Sequence, residues 1–73
     1  MRISIANLEN RIKHLNEITE GGFTLEMAYG GHKLASHNGS VDVFHGYMSK
    51  KELWYMISAF IQGLNYAKSN NSN

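Results

Sequence analysis

The sequence contains no cysteine among its 73 residues. This absence excludes disulfide bonds and thiolate metal sites, and it fits a reducing compartment. A chain of this length forms one small domain, which buries only about 60% of the surface of the unfolded chain. Small domains without disulfides usually need metal or oligomerisation for stability. We therefore expect the protein to self-associate as a homo-oligomer.

Neither sign of charge predominates, and no long apolar run is present. The net charge is +1 with histidine neutral. It disfavours both a basic nucleic-acid interface and an acidic mimic of DNA. No apolar stretch approaches the ~18 residues of a transmembrane helix, and the N-terminus shows no signal-peptide core. The sequence therefore predicts a soluble cytosolic protein with no membrane partner.

Two segments have the apolar spacing of amphipathic helices. From Ile5 to Ile18 apolar residues recur three and four positions apart, with Ser4 as the expected N-cap and Gly21-Gly22 as the expected end. The alternating start, MRISI, leaves a short strand open as an alternative. A second helix is predicted from the capping box S-x-x-E at residues 49–52 to about Ala67. We therefore assign residues 1–67 to a single α+β domain and residues 68–73 to a polar C-terminal tail.

Between the helices the apolar period changes to two, which is typical of strands. Gly30-Gly31 and Asn38-Gly39 are signals for two-residue hairpin turns, which set the register of a meander. In this register Met27 faces Leu34 and His32 faces His45. The predicted core face carries Phe23, Leu25, Met27, Tyr29, Leu34, Val41 and Val43. The predicted open face carries Thr24, Glu26, Ala28, Lys33, Ala35, Asp42 and Phe44.

The order of the predicted elements is α-β-β-β-α. Both turns give one consistent apolar face, which supports the strand assignment. The predicted fold class is therefore α+β, a three-stranded antiparallel meander with both helices packed on one face.

Three stretches of the chain, LENRIKHLNEIT, AYGGHKL and GYMSKKELWYMISAFIQGL, resemble a group of small proteins encoded in tailed phages and prophages. The likeness covers most of the chain. It implies a viral origin and a small α+β fold, and it supplies no known activity. In that group a short polar insertion usually separates the first helix from the strand before AYGG, whereas EGG stands there in this chain. If the insertion carries binding residues, this chain lacks them.

The segment AYGGHK is the first candidate ligand site. Glycines allow a phosphate to approach the backbone, and lysine supplies charge, but neither a Walker A nor a dinucleotide-binding motif is present. Gly30-Gly31 as a turn alone is the alternative. A second anion candidate is the helix start at Lys50 and Lys51, where Glu52 already occupies part of the site. The candidate ligand residues are Tyr29, Gly30, Gly31, His32, Lys33, His45, Lys50 and Lys51.

The predicted pair of His32 and His45 raises the question of a metal ion. A third ligand would have to come from Tyr29, His14 or another subunit, and the spacing matches no zinc motif. The alternative is a neutral pair at the wet end of the core. We predict that no metal or other cofactor is required.

Two surfaces are candidate interfaces. Phe44 is predicted to lie between two alanines on the open sheet face, which is unusual for a free surface. On the second helix, small residues one turn apart form a shallow groove between tyrosines, and the alternative is that the first helix fills it. The candidate interface residues are Phe44, Tyr55, Ala59, Gly63 and Tyr66.

No catalytic arrangement of side chains emerges, and we predict that the protein is not an enzyme. The expected function is that of a phage-encoded binding protein, which counteracts host defence by sequestering a small anionic ligand of nucleotide type as a homo-oligomer. An alternative is a protein-binding inhibitor of a host immune or replication factor. A weaker alternative is an accessory protein of phage morphogenesis.

Overall fold

The computed structural model describes residues 2–44 and 46–70. Its elements are α1 (Ile5–Ile18), β1 (Thr24–Ala28), β2 (Gly31–Ser36), β3 (Val41–Asp42) and α2 (Lys50–Asn70). The strands form one antiparallel sheet in the order β1-β2-β3, and both helices pack on a common face of it. The predicted α+β fold is thus confirmed. Neither α1 nor α2 is long and apolar enough to cross a membrane.

Local capping determines where α1 begins and ends. The Ser4 hydroxyl accepts from the Asn7 amide at 3.2 Å, and Asn7 Oδ1 accepts from the Ser4 amide at 2.9 Å. This confirms the predicted N-cap and leaves no strand at residues 2–4. The expected helix end at Gly21-Gly22 is wrong. The helix stops at Ile18 because Thr19 caps it, and the Thr19 hydroxyl donates to the carbonyl of residue 15 at 2.8 Å.

The side chain of Asn16 joins α1 to the start of the sheet. Its Nδ2 donates to the Phe23 carbonyl at 3.1 Å, and its Oδ1 accepts from the Phe23 amide at 2.9 Å. Gly21 and Gly22, with φ of 88° and 87°, allow the chain to turn back between Asn16 and Phe23. One amide side chain therefore satisfies both backbone groups of a residue that lies ahead of β1.

The first hairpin differs from the predicted register. Ala28 pairs with Gly31, Met27 with His32 and Leu25 with Leu34, so the turn residues are Tyr29 and Gly30. Both have positive φ, 54° and 71°, as a type I′ turn requires. The predicted turn at Gly30-Gly31 is therefore wrong by one residue. Each partner moves by two positions, so the division of side chains between the two faces is unchanged.

The second hairpin keeps its predicted register only near the turn. Ser36 pairs with Val41 as predicted, and the Val43 amide donates to the Leu34 carbonyl at 3.0 Å. The predicted two-residue turn at Asn38-Gly39 is wrong, because the turn spans residues 37–40 and the Gly39 amide donates to the Ser36 carbonyl at 3.1 Å. Beyond Val43 the chain leaves the sheet and returns at Met48, whose amide and carbonyl both pair with His32 at 2.8 Å. Met48 is therefore the residue that pairs with His32, and His45, the predicted partner, lies outside the described residues.

The core lies between the helices and the middle of the sheet. Met27, Tyr29 and Val41, which were predicted to face the core, are exposed because they lie near the turns at the ends of the sheet. Met56, whose spacing predicts a place on the core stripe of α2, is also exposed. Ala35, which was predicted to lie on the open face, is fully buried. The residues of the core cluster are Ile3, Leu8, Ile12, Leu15, Leu34, Leu53, Ile57 and Ile61.

The predicted place of Phe44 on the open sheet face is also wrong. The chain bends after Asp42, and Phe44 packs against the core with its ring edge-to-face on Phe60, 6.1 Å between centroids. Phe60 makes a similar contact with Phe23, also at 6.1 Å. The aromatic side chain is thus part of the packing between α2 and the sheet.

At its C-terminal end α2 continues to Asn70 rather than to Ala67. Residues 68–70, which were predicted to belong to the polar tail, are therefore helical. Lys68 lies in the last turn, where a positive charge interacts favourably with the helix dipole.

Candidate functional site

The structure brings the two predicted halves of the ligand site to one end of the sheet. Gly31, the first residue of β2, lies against Tyr47 and Met48, and His32 is bonded to Met48 through its backbone. Met48 immediately precedes Ser49, which accepts the first intrahelical hydrogen bond of α2. The start of α2, with Lys50 and Lys51, therefore follows directly from a segment bonded to the candidate hairpin.

Tyr29, Tyr47 and Lys33 form a contiguous cluster at this end. The rings of Tyr29 and Tyr47 meet edge-to-face with 5.7 Å between centroids, and Lys33 Nζ lies 4.8 Å from the Tyr47 ring centroid. Tyr47 was not predicted to belong to the site. Its position depends on the return of the chain to β2, which local pattern does not reveal.

The charge of Lys33 is compensated within the protein. Its Nζ lies 2.8 Å from Asp42 Oδ1, and this hydrogen bond raises the pKa of Lys33 above its ordinary value. The resulting stabilisation is present at neutral pH and is lost as the pH rises through the raised pKa. Lys50 and Lys51 are exposed and form no ion pair with another described residue. Lys50 and Lys51 therefore carry positive charge that no described acidic residue compensates.

The helix start holds a reciprocal capping box, as predicted. The Ser49 hydroxyl accepts from the Glu52 amide at 3.1 Å, and Glu52 Oε1 accepts from the Ser49 amide at 3.3 Å. The carboxylate of Glu52 thus occupies one side of the helix N-terminus, and an anion would have to approach from the side of Lys50 and Lys51.

His32 has a buried ring nitrogen without a partner. Its Nδ1 makes no hydrogen bond to any described residue, although the ring as a whole is only half-buried. The predicted partner, His45, lies outside the described residues. Within the described part of the chain no three histidine or acidic side chains are grouped as a metal site would require.

The candidate interface on α2 is open. Tyr55 and Tyr66 are 51% and 71% exposed, Ala59 is exposed, and a Cβ placed on Gly63 would meet no atom within 4 Å. The alternative that α1 fills the groove beside Gly63 is therefore wrong. Phe44, the remaining interface candidate, packs on Phe60 instead.

Two cavities lie away from the predicted ligand residues. One of about 790 Å³ lies beside the β2–β3 loop and is lined by Gly22, His37 and Phe60 among others. Another of about 620 Å³ lies between α1 and α2 and is lined by Arg11 and Trp54. No functional role was predicted for Arg11, because Arg11 and Trp54 are brought together only by the packing of the helices.

No protein-family model, curated protein or solved structure matches this chain. The resemblance to phage and prophage proteins stays a prediction. The function is therefore inferred from the side chains of this protein.

Proposed function

We propose that this protein is a non-enzymatic binding protein that sequesters a small anionic ligand of nucleotide type. It acts as a homo-oligomer in the cytoplasm of a phage-infected host and thereby counteracts a host defence. The observation that carries the proposal is the cluster of Tyr29, Tyr47 and Lys33 beside the start of α2, where Lys50 and Lys51 form no ion pair with any described residue. Aromatic rings stack on a base, and lysines attract phosphate without strict geometry.

The conformation of Tyr29 supports a binding role. Its φ is 54°, in the left-handed region that costs a residue with a side chain about 1 kcal/mol, and its side chain is 95% exposed. The turn requires this conformation, and the Tyr29 ring meets Tyr47 only at an edge, so most of its surface stays open to a ligand. Strain at an exposed aromatic residue is a feature of positions that contact a ligand or a partner.

Reversing the charge at the start of α2 is expected to reduce ligand capture strongly. Lys50→Glu and Lys51→Glu each place a negative charge beside the free amides, where it repels an anion yet interacts favourably with the helix dipole, so the fold is retained. The measurement is mass spectrometry of small molecules released from protein that is purified from phage-infected cells. We expect the wild type to release a phosphate-bearing compound and both variants to release much less of it.

The matched control is Lys68→Glu, which makes the same charge change at the other end of the same helix. It is expected to retain the compound. Wild-type protein that carries no anionic compound, or charge-reversed variants that retain it in full, would contradict the proposal.

Self-association is expected to stabilise the protein. Several large apolar side chains are exposed in the protomer, among them Met27 at 59% and the two tyrosines of the α2 stripe, and the core is small. Sedimentation at about 10 µM should give a mass that is a multiple of 8.2 kDa, and the melting temperature should fall on dilution, because the stability of an oligomer depends on its concentration. An 8.2 kDa species with a melt independent of concentration would refute this expectation.

A second candidate function is inhibition of a host immune or replication protein. It is favoured by the α2 stripe of Tyr55, Ala59, Gly63 and Tyr66, which is exposed along about three turns of helix and has tyrosine at both ends. Tyrosine is enriched at the centres of protein interfaces. Under this alternative a host protein rather than a small molecule would accompany the purified wild type, and the charge reversals at Lys50 and Lys51 would have no effect on that association.

A further inference from the structure

A groove between α1 and α2 contains Arg11, whose guanidinium group is held in place by an aromatic ring. The guanidinium carbon of Arg11 lies 4.6 Å from the centroid of the Trp54 ring, and Tyr55 meets Trp54 edge-to-face at 5.3 Å. Arg11 and Trp54 are both half-buried. A guanidinium that rests on an aromatic face loses little further freedom on binding, and its N–H groups remain available to a ligand.

These N–H groups have no acceptor within the described part of the chain. No hydrogen bond or ion pair joins the Arg11 side chain to another described residue. Two adjoining cavities share Arg11, His14 and Trp54, and no described aspartate or glutamate lines either of them. The groove is therefore positive, and its charge is not neutralised by the protein.

The rest of the groove is suited to a small polar molecule. The larger cavity has a volume of about 620 Å³, and the adjoining one has about 280 Å³. Pockets for small ligands typically have volumes of about 300–1,000 Å³. Trp54 and Asn65 both line the larger cavity, and they are separated by about 16 Å along α2 at ~1.5 Å per residue. Four neutral amide side chains also line the two cavities: Asn7, Asn10, Gln62 and Asn65.

We infer that this groove is a binding site for a phosphate-bearing nucleotide. Arg11 matches two oxygens of a phosphate at once, and His14 lies in the same cavities to add a second donor. Asparagine and glutamine side chains present a donor and an acceptor together, which suits the edge of a base. The groove shares no residue with the cluster at Tyr29, Lys33 and Lys50, so this second site does not depend on the first.

The position of the tryptophan gives a direct test. Trp54 is the only tryptophan in the chain, so its fluorescence reports on this groove alone. Titration with AMP should produce a saturable change in emission, whereas adenosine, which lacks the phosphate, should produce none. Arg11→Gln is expected to weaken AMP binding at least about tenfold, a loss of ~1.4 kcal/mol, and Arg11→Lys should restore part of it.

Two controls make the outcome specific. Lys13→Gln removes the same charge from an exposed position of α1 that lines a different cavity, and it should leave the titration unchanged. Lys50→Glu should also leave it unchanged. A titration that responds to Lys50→Glu and not to Arg11→Gln would overturn this inference and leave the proposed function standing. Absence of any saturable change, an equal response to adenosine, or saturation by a glutamate-rich peptide in place of AMP would overturn the inference as well.

Discussion

Replacing Gly31 with alanine is expected to destabilise the protein by about 1–3 kcal/mol, the range for an added methyl group in a closely packed site. A Cβ at this position would lie 2.7 Å from Tyr47 Cβ and about 3.4–3.5 Å from the amide and carbonyl of Met48. None of these atoms is the end of a flexible side chain. Relieving these close contacts therefore requires the backbone of Met48 to move. That backbone pairs with His32 through two hydrogen bonds of 2.8 Å.

The measurement is the free energy of unfolding in urea at one fixed protein concentration. Gly63→Ala is the matched control, because its Cβ would enter open space within a helix, and it is expected to stabilise the protein by about 0.5–1 kcal/mol. Gly31 is not among the described glycines with positive φ, so close contact is the only source of the loss. A Gly31→Ala variant as stable as the wild type would show that Tyr47 and Met48 do not pack on β2.

Replacing Asn16 with alanine is expected to cost about 1–3 kcal/mol, because the half-buried amide and carbonyl of Phe23 both lose their side-chain partner. Asn16→Asp keeps an acceptor for the Phe23 amide but sets a carboxylate oxygen against the Phe23 carbonyl. We therefore expect this variant to recover little of the lost stability. Each kilocalorie per mole should lower the melting temperature by about 4–8 °C in a domain of this size.

Asn10→Ala provides the comparison for Asn16, since Asn10 is an exposed asparagine of the same helix. Alanine has the higher helix propensity, so this variant should be as stable as the wild type or slightly more stable. Equal melting temperatures for Asn16→Ala and Asn10→Ala would mean that the bonds to Phe23 contribute nothing to stability.

The parts of the fold that were predictable from the sequence are those determined by neighbours along the chain. The starts of both helices follow from capping residues three positions apart, Ser4 with Asn7 and Ser49 with Glu52. The division of strand residues between two faces follows from their alternation and survives the error in register. Leu34, at the centre of the predicted core face, is fully buried.

The candidate site was predicted only in part. The hairpin around Tyr29 and the helix start at Lys50 were both singled out from local signals, the turn glycines and the capping box. Their approach to each other depends on pairing between His32 and Met48, sixteen positions apart. The contact of Arg11 with Trp54 joins two helices that are separated by the whole sheet in sequence, so no spacing rule could indicate it.

The sequence by itself determined the order of the elements, the two helix starts and the apolar face of the sheet, because periodicity and capping act over a few residues. Only the tertiary structure decided which two residues form the first turn. Gly30-Gly31 is the better local signal, but Gly31 is required beside Tyr47, where no Cβ fits, and the turn therefore falls on Tyr29 and Gly30. The chain leaves the sheet before it returns to β2 at Met48, and this path also brings Phe44 to Phe60 and away from the open face. Contacts between distant segments selected among local alternatives whose intrinsic energies differ by only about 1 kcal/mol.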